Sequence, residues 1–149
     1  MKWADEVLAD LEGAQRVKAN REEYALMRAR QRHDQAQYRW IDLRGQIQSH
    51  ALMLNRNAGK TLLIEQPSPG NRLLLRHPDG VGLSVVYRPE LYRVSISGSS
   101  TCELELLVRQ RDGNDTTVWV NRETTAEDSD EKIAQSILRD YLLSLTGAG

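Results

Sequence analysis

Phenylalanine is absent from this 149-residue sequence, cysteine occurs once, and the four prolines all lie at or beyond position 67. Without Phe, 3 Trp and 5 Tyr are the only aromatics, so a core has to be filled mainly by Leu, Ile, Val and Ala. Cys102 alone closes no internal disulfide, which points away from a stapled secreted scaffold and towards a reducing, cytoplasmic compartment. No stretch approaches the ~18 apolar residues of a membrane span. The opening Met1-Lys2-Trp3-Ala4-Asp5-Glu6 carries early acids in place of the apolar run of a secretory signal. Charge of one sign is also lacking: the net charge is -1, and only residues 123 to 149, with 2 basic against 6 acidic side chains, are distinctly acidic. A chain of this length, 40% hydrophobic and 28% charged, fits one folded domain.

What is present divides into three patterns. From Lys2 to about Asn57 the only glycines are Gly13 and Gly45, and Ala, Leu, Glu, Gln and Arg dominate, which is helical composition. Gly13 is a point where the run can break into two helices. Asn55-Arg56-Asn57-Ala58-Gly59 supplies the stop, with Asn57 or Gly59 as the left-handed cap.

Short β-rich runs follow: Thr61 to Glu65, Arg72 to Arg76, Leu83 to Tyr87, Tyr92 to Ser97, Cys102 to Leu106 and Thr116 to Val120. Pro67-Ser68-Pro69-Gly70-Asn71, Pro78-Asp79-Gly80 and Asp112-Gly113-Asn114-Asp115 separate them as turns, because Pro presets φ and Gly admits positive φ. None of these links is long enough for a parallel crossover, so the strands form an antiparallel meander. After an acidic connection, Asp128 or Ser129 caps a final helix. Ile133, Ile137, Leu138, Tyr141, Leu142 and Leu145 share one of its faces, and Gly147 ends it.

The expected fold is therefore α+β: a long N-terminal helical arm, an antiparallel β-meander of about six strands and a C-terminal amphipathic helix packed on the sheet. Residues 1–57 form the arm. Residues 58–149 form the sheet and last helix, in one core with part of the arm.

The arm carries two apolar sides. At helical spacing Tyr24, Met27, Tyr38 and Ile41 fall on one, and Leu26, Ala29, Ala36, Trp40 and Leu43 on the other. One side packs on the domain and a second implies a second partner. A heptad reading places Val17, Tyr24, Gln31, Tyr38, Gly45 and Leu52 at one core position and Asn20, Met27, Asp34, Ile41 and Gln48 at the other, too polar for a clean coiled coil. Tyr24, Met27, Tyr38, Trp40 and Ile41 are accordingly the interface candidates, for a homodimer or for another protein.

Motifs for catalysis, metal or phosphate are weak. Asn57-Ala58-Gly59-Lys60-Thr61 has the tail of a phosphate loop, but Leu54 stands where the first glycine belongs and the order runs helix to strand. His33, His50 and His77 have no ligand-like spacing, so no metal or other cofactor is expected. Glu103 and Glu105 share one strand face, as a solvated sheet face also does. Arg21, Arg28, Arg32 and Arg39 line one helix face beside Tyr24 and Tyr38 and are candidates for phosphate contact. Glu22, Glu23 and Asp34 oppose that reading, and nucleic acid is not favoured. Tyr87, Tyr92, Trp119 and Tyr141 are candidates to line a pocket for a small apolar ligand between sheet and last helix. The sequence thus favours a non-catalytic protein–protein interaction or oligomerisation protein acting through its N-terminal helix, ahead of nucleic-acid binding and of a small-ligand protein or enzyme, with no membrane partner and no catalytic residue singled out.

Overall fold

The computed structural model describes residues 2–98 and 101–146. Helix α1 spans Lys2–Ala58 and α2 spans Asp130–Ser144. Between them lie β1 (Ile64–Gln66), β2 (Arg72–Arg76), β3 (Leu83–Arg88), a 3-10 turn (Pro89–Leu91), β4 (Arg93–Ser97), β5 (Thr101–Arg111) and β6 (Asn114–Asn121). The six strands form one antiparallel sheet in the order β1-β2-β3-β4-β5-β6, the meander that the short turns require.

α1 is a single helix of 57 residues, ~85 Å long at the usual rise. Gly13 does not break it: one interior glycine costs about 1 kcal/mol, which the surrounding Ala, Leu, Glu and Arg absorb. The helix ends at Gly59, whose φ of 67° is the left-handed conformation expected there and whose N–H reaches the Arg56 carbonyl at 3.2 Å.

β1 begins at Ile64, later than Thr61, for a local reason. The Asn55 side chain accepts from the N–H groups of Leu62 and Leu63 at 2.8 and 2.9 Å and donates to the Leu63 carbonyl at 2.9 Å, which ties these residues to the helix end. β4 likewise begins after Tyr92, because Tyr92 itself takes a left-handed conformation (φ 53°) closing the 3-10 turn. The β5–β6 hairpin is longer than its alternating core suggests. Its turn is only Asp112-Gly113, with φ of 51° and 79°, and Arg111 pairs directly with Asn114. Two positive φ values make this the type I′ geometry that matches strand twist.

One sheet face is apolar, and both helices lie on it. Leu73, Leu75, Leu83, Val85, Tyr87, Val94, Ile96, Leu104, Leu106 and Trp119 alternate inward along the strands and are buried. Against them α1 sets Ala36, Trp40, Leu43, Ile47 and Ala51, and α2 sets Ile133, Ala134, Leu138 and Tyr141. Trp40 stacks on Tyr87 with centroids 5.5 Å apart and planes at 15°, and its Nε1 donates to the Gly70 carbonyl at 2.8 Å. α2 starts where the acids indicate, with the Ser129 Oγ accepting from the Lys132 N–H at 3.3 Å. Gly147, the expected stop, lies outside the described residues. The connection before α2 folds back on the hairpin, where Glu127 accepts from Arg109 Nε at 2.7 Å and pairs with Arg111.

Candidate functional site

The two apolar sides of α1 have different fates. Of the side carrying Leu26, Ala29, Ala36, Trp40 and Leu43, the last three become core, whereas Leu26 and Ala29 stay exposed. Trp40 is fully buried at 0% exposure, so it leaves the set of interface candidates: it shares an azimuth with Leu43 and Ile47, which the sheet covers. Tyr24, Met27, Tyr38 and Ile41 all stay exposed, Tyr38 at 71%, as does Leu52. Towards its start the helix leaves the body. Among the described residues, 2 to 23 form no hydrogen bond or ion pair between side chains and the sheet, and Trp3, Val7, Leu8, Leu11 and Val17 are exposed. Contact begins at Tyr24, whose hydroxyl donates to Asp115 Oδ1 at 3.1 Å. Gln31 then donates to the Asp115 carbonyl at 3.0 Å, and Thr117 Oγ1 donates to Gln35 at 2.8 Å.

The arginine stripe is largely engaged within the protein. Arg28 stands 3.9 Å from Asp115, Arg32 stands 4.0 Å from Glu105 with its guanidinium 4.4 Å over the Tyr92 ring, and Arg39 donates to Asp130 at 2.9 Å. Only Arg21 of the four lies on the projecting part of the helix. The same pairing accounts for the two sheet carboxylates. Arg93 Nε reaches Glu105 at 3.0 Å and Arg122 Nη1 reaches Glu103 at 3.1 Å, a half-exposed ion network in place of an acid–base pair. Among the described residues no cluster of His, Cys, Asp and Glu is arranged to hold a metal ion, and no helix is long and apolar enough to cross a membrane.

A cavity of about 290 Å³ lies between α2 and the β3–β6 part of the sheet. Trp119 and Tyr141, two of the four aromatic candidates, line it. The other two do not: Tyr87 is taken by its stack on Trp40, and Tyr92 turns to the opposite end, with its hydroxyl 3.1 Å from His33 Nδ1. Strand alternation alone gives no hint of where along the sheet α1 crosses, and that crossing removes both. Ile96, Leu104, Ile133 and Ile137 form the apolar walls, and Asp128 and Asp140, both exposed, complete the lining on the solvent side.

The Tyr141 hydroxyl leaves the cavity and accepts from the His77 N–H at 3.1 Å while donating to the Val81 carbonyl, which locks α2 to the β2–β3 turn. Cys102 also faces the cavity, accepting from Asn121 Nδ2 at 3.3 Å. Burial above all, with the Glu123 and Asp140 carboxylates nearby, pushes its thiol pKa up and keeps it protonated, the reverse of a nucleophile. Cys102 and the two aspartates carry no sequence motif. Their convergence depends on the register of β4, β5 and β6 and on the return of the 122–129 connection.

No family model matches the chain, and no curated protein and no solved structure matches it.

Proposed function

We propose that this protein is a non-catalytic association module whose working surface is the outer side of α1, and that a second copy of the chain docks there antiparallel. One observation carries the reading: the outer side of α1 is symmetric about Gly45. Seven residues before Gly45 stands Tyr38 and seven after stands Leu52; eleven before stands Asp34 and eleven after stands Arg56. At 3.6 residues per turn these five positions fall within about 20° of a single line, roughly opposite the buried face. Tyr38 and Leu52 are 71% and 64% exposed, and Ile41 beside them is 53% exposed. Asp34 and Arg56 are exposed and form no ion pair among the described residues.

Two such helices, antiparallel with Gly45 at the crossing, set Tyr38 of each copy against Leu52 of the other and Asp34 against Arg56. A spacing of four and three residues through Asp34, Tyr38, Ile41, Gly45, Gln48 and Leu52 suits a shallow crossing angle near 20°. Gly45 has an ordinary helical backbone, and a Cβ there would meet nothing within 4 Å inside the chain. The monomer therefore gives no reason for a residue that weakens the helix by about 1 kcal/mol relative to Ala; close approach of a second backbone does.

Sedimentation equilibrium of the full chain tests this. A dimer is expected, with Leu52→Asp monomeric. Asp34→Arg and Arg56→Asp are each weaker in association, and the double exchange returns towards the parent because it rebuilds both ion pairs with signs reversed. Each exposed pair is worth up to about 1 kcal/mol, so the single changes cost several-fold in Kd. A chain that stays monomeric throughout the micromolar range would sink self-association. A dimer in which the double exchange fares no better than the singles would sink the antiparallel pairing.

A further inference from the structure

The cavity under α2 is independent of the outer side of α1, and its chemistry is specific enough to name a ligand class. Three observations converge on it. Trp119 lines the cavity and is 0% exposed, and among the described residues no group accepts from its Nε1. A buried N–H without an acceptor is rare in folded proteins, because it forfeits its full interaction with water. The other two tryptophans differ: Trp40 Nε1 donates to Gly70, and Trp3 is in solvent. Second, the only charged residues among the described lining are Asp128 and Asp140, neither of which forms an ion pair among the described residues. Third, the walls from Ile96, Leu104, Ile133 and Ile137 are apolar, and at about 290 Å³ the cavity is roughly twice the ~150 Å³ that accommodates benzene in an engineered core.

We infer that this cavity binds a small aromatic or aliphatic amine that also carries a hydrogen-bond acceptor. The apolar body lies between the β4–β5 floor and α2, the acceptor takes the Trp119 N–H, and the ammonium group stands at the mouth between Asp128 and Asp140. An anion of the same shape is disfavoured, since both carboxylates repel it and no basic side chain among the described lining offsets them. The Cys102 thiol, held protonated, leaves the interior uncharged. Ligand entry is at the aspartate end, where Ser136 on α2 is exposed.

Three probes with one phenol and different far ends separate the possibilities: tyramine, 4-ethylphenol and 3-(4-hydroxyphenyl)propanoate. Each is titrated into the full-length protein while the indole N–H resonances of the three tryptophans are followed by NMR. The expected result is a saturable movement of the Trp119 resonance alone, tightest for tyramine, weaker for 4-ethylphenol and weakest for the propanoate. Asp128→Asn and Asp140→Asn each lower tyramine affinity by up to about fivefold, the range of an exposed ion pair, and leave 4-ethylphenol unchanged. Ser136→Trp, at an exposed helix position, closes the mouth and abolishes all three titrations. The inference is overturned if no probe moves Trp119 saturably into the millimolar range, if the propanoate binds as well as tyramine, or if the Ser136→Trp protein still binds. None of these outcomes bears on the oligomeric state.

Discussion

Asp130 is the residue where opposing effects on one carboxylate are most evident. It accepts from Arg39 at 2.9 Å and occupies the first turn of α2, and both favour its charged form. Burial nevertheless raises its pKa more than Arg39 lowers it, and nearby Asp42 adds to the rise. The folded protein thus holds this proton more tightly than the unfolded chain does. Its stabilising contribution is fully present below the ordinary carboxylate value of about 3.9 and is lost as pH rises through the raised one. Relative to Asp130→Asn, the parent protein is expected to gain stability on acidification through that window and to lose it towards neutrality. Urea midpoints of both proteins at neutral pH and near pH ~4 check the sign; a difference that does not change with pH would mean that Arg39 offsets burial in full.

At the scale of elements, α2 is the part most fully determined by its own residues. The Ser129 cap, the acids Asp130 and Glu131, and the apolar spacing from Ile133 to Tyr141 are all local, and each was legible in the sequence. Ser129→Ala is expected to cost about 1 kcal/mol in urea unfolding, because the Lys132 N–H loses its acceptor at the helix start. Strand existence was legible for the same reason: Pro–Gly turns and period-two alternation are local signals. Strand ends were less so. The start of β1 depends on Asn55 reaching Leu62 and Leu63, and the start of β4 on the left-handed turn at Tyr92. The cavity was half legible. Trp119 and Tyr141 announce themselves on inward faces, whereas the diversion of Tyr87 to Trp40 follows from where α1 crosses the sheet. The engagement of Arg28, Arg32 and Arg39 was illegible, since their partners Asp115, Glu105 and Asp130 lie more than 70 residues away in the chain.

For the whole molecule, the decisive property is that one helix serves both as core and as arm. Removing residues 2 to 23 is expected to lower the helical circular dichroism signal while leaving the unfolding free energy from urea titration within about 0.5 kcal/mol of the parent, because that segment covers none of the core. An unfolding free energy that falls by several times that amount would place part of the arm on the body. The undivided helix has a mechanical consequence as well. Without a proline to act as a hinge, a force applied sideways at Trp3 acts through a lever of roughly 32 Å beyond Tyr24. The resulting torque falls first on the exposed polar contacts of Tyr24 and Arg28 with Asp115, at the tip of the β5–β6 hairpin. Those contacts yield before the packing around Trp40 does, so tension on the arm would peel α1 off the hairpin and leave the rest of the fold seated.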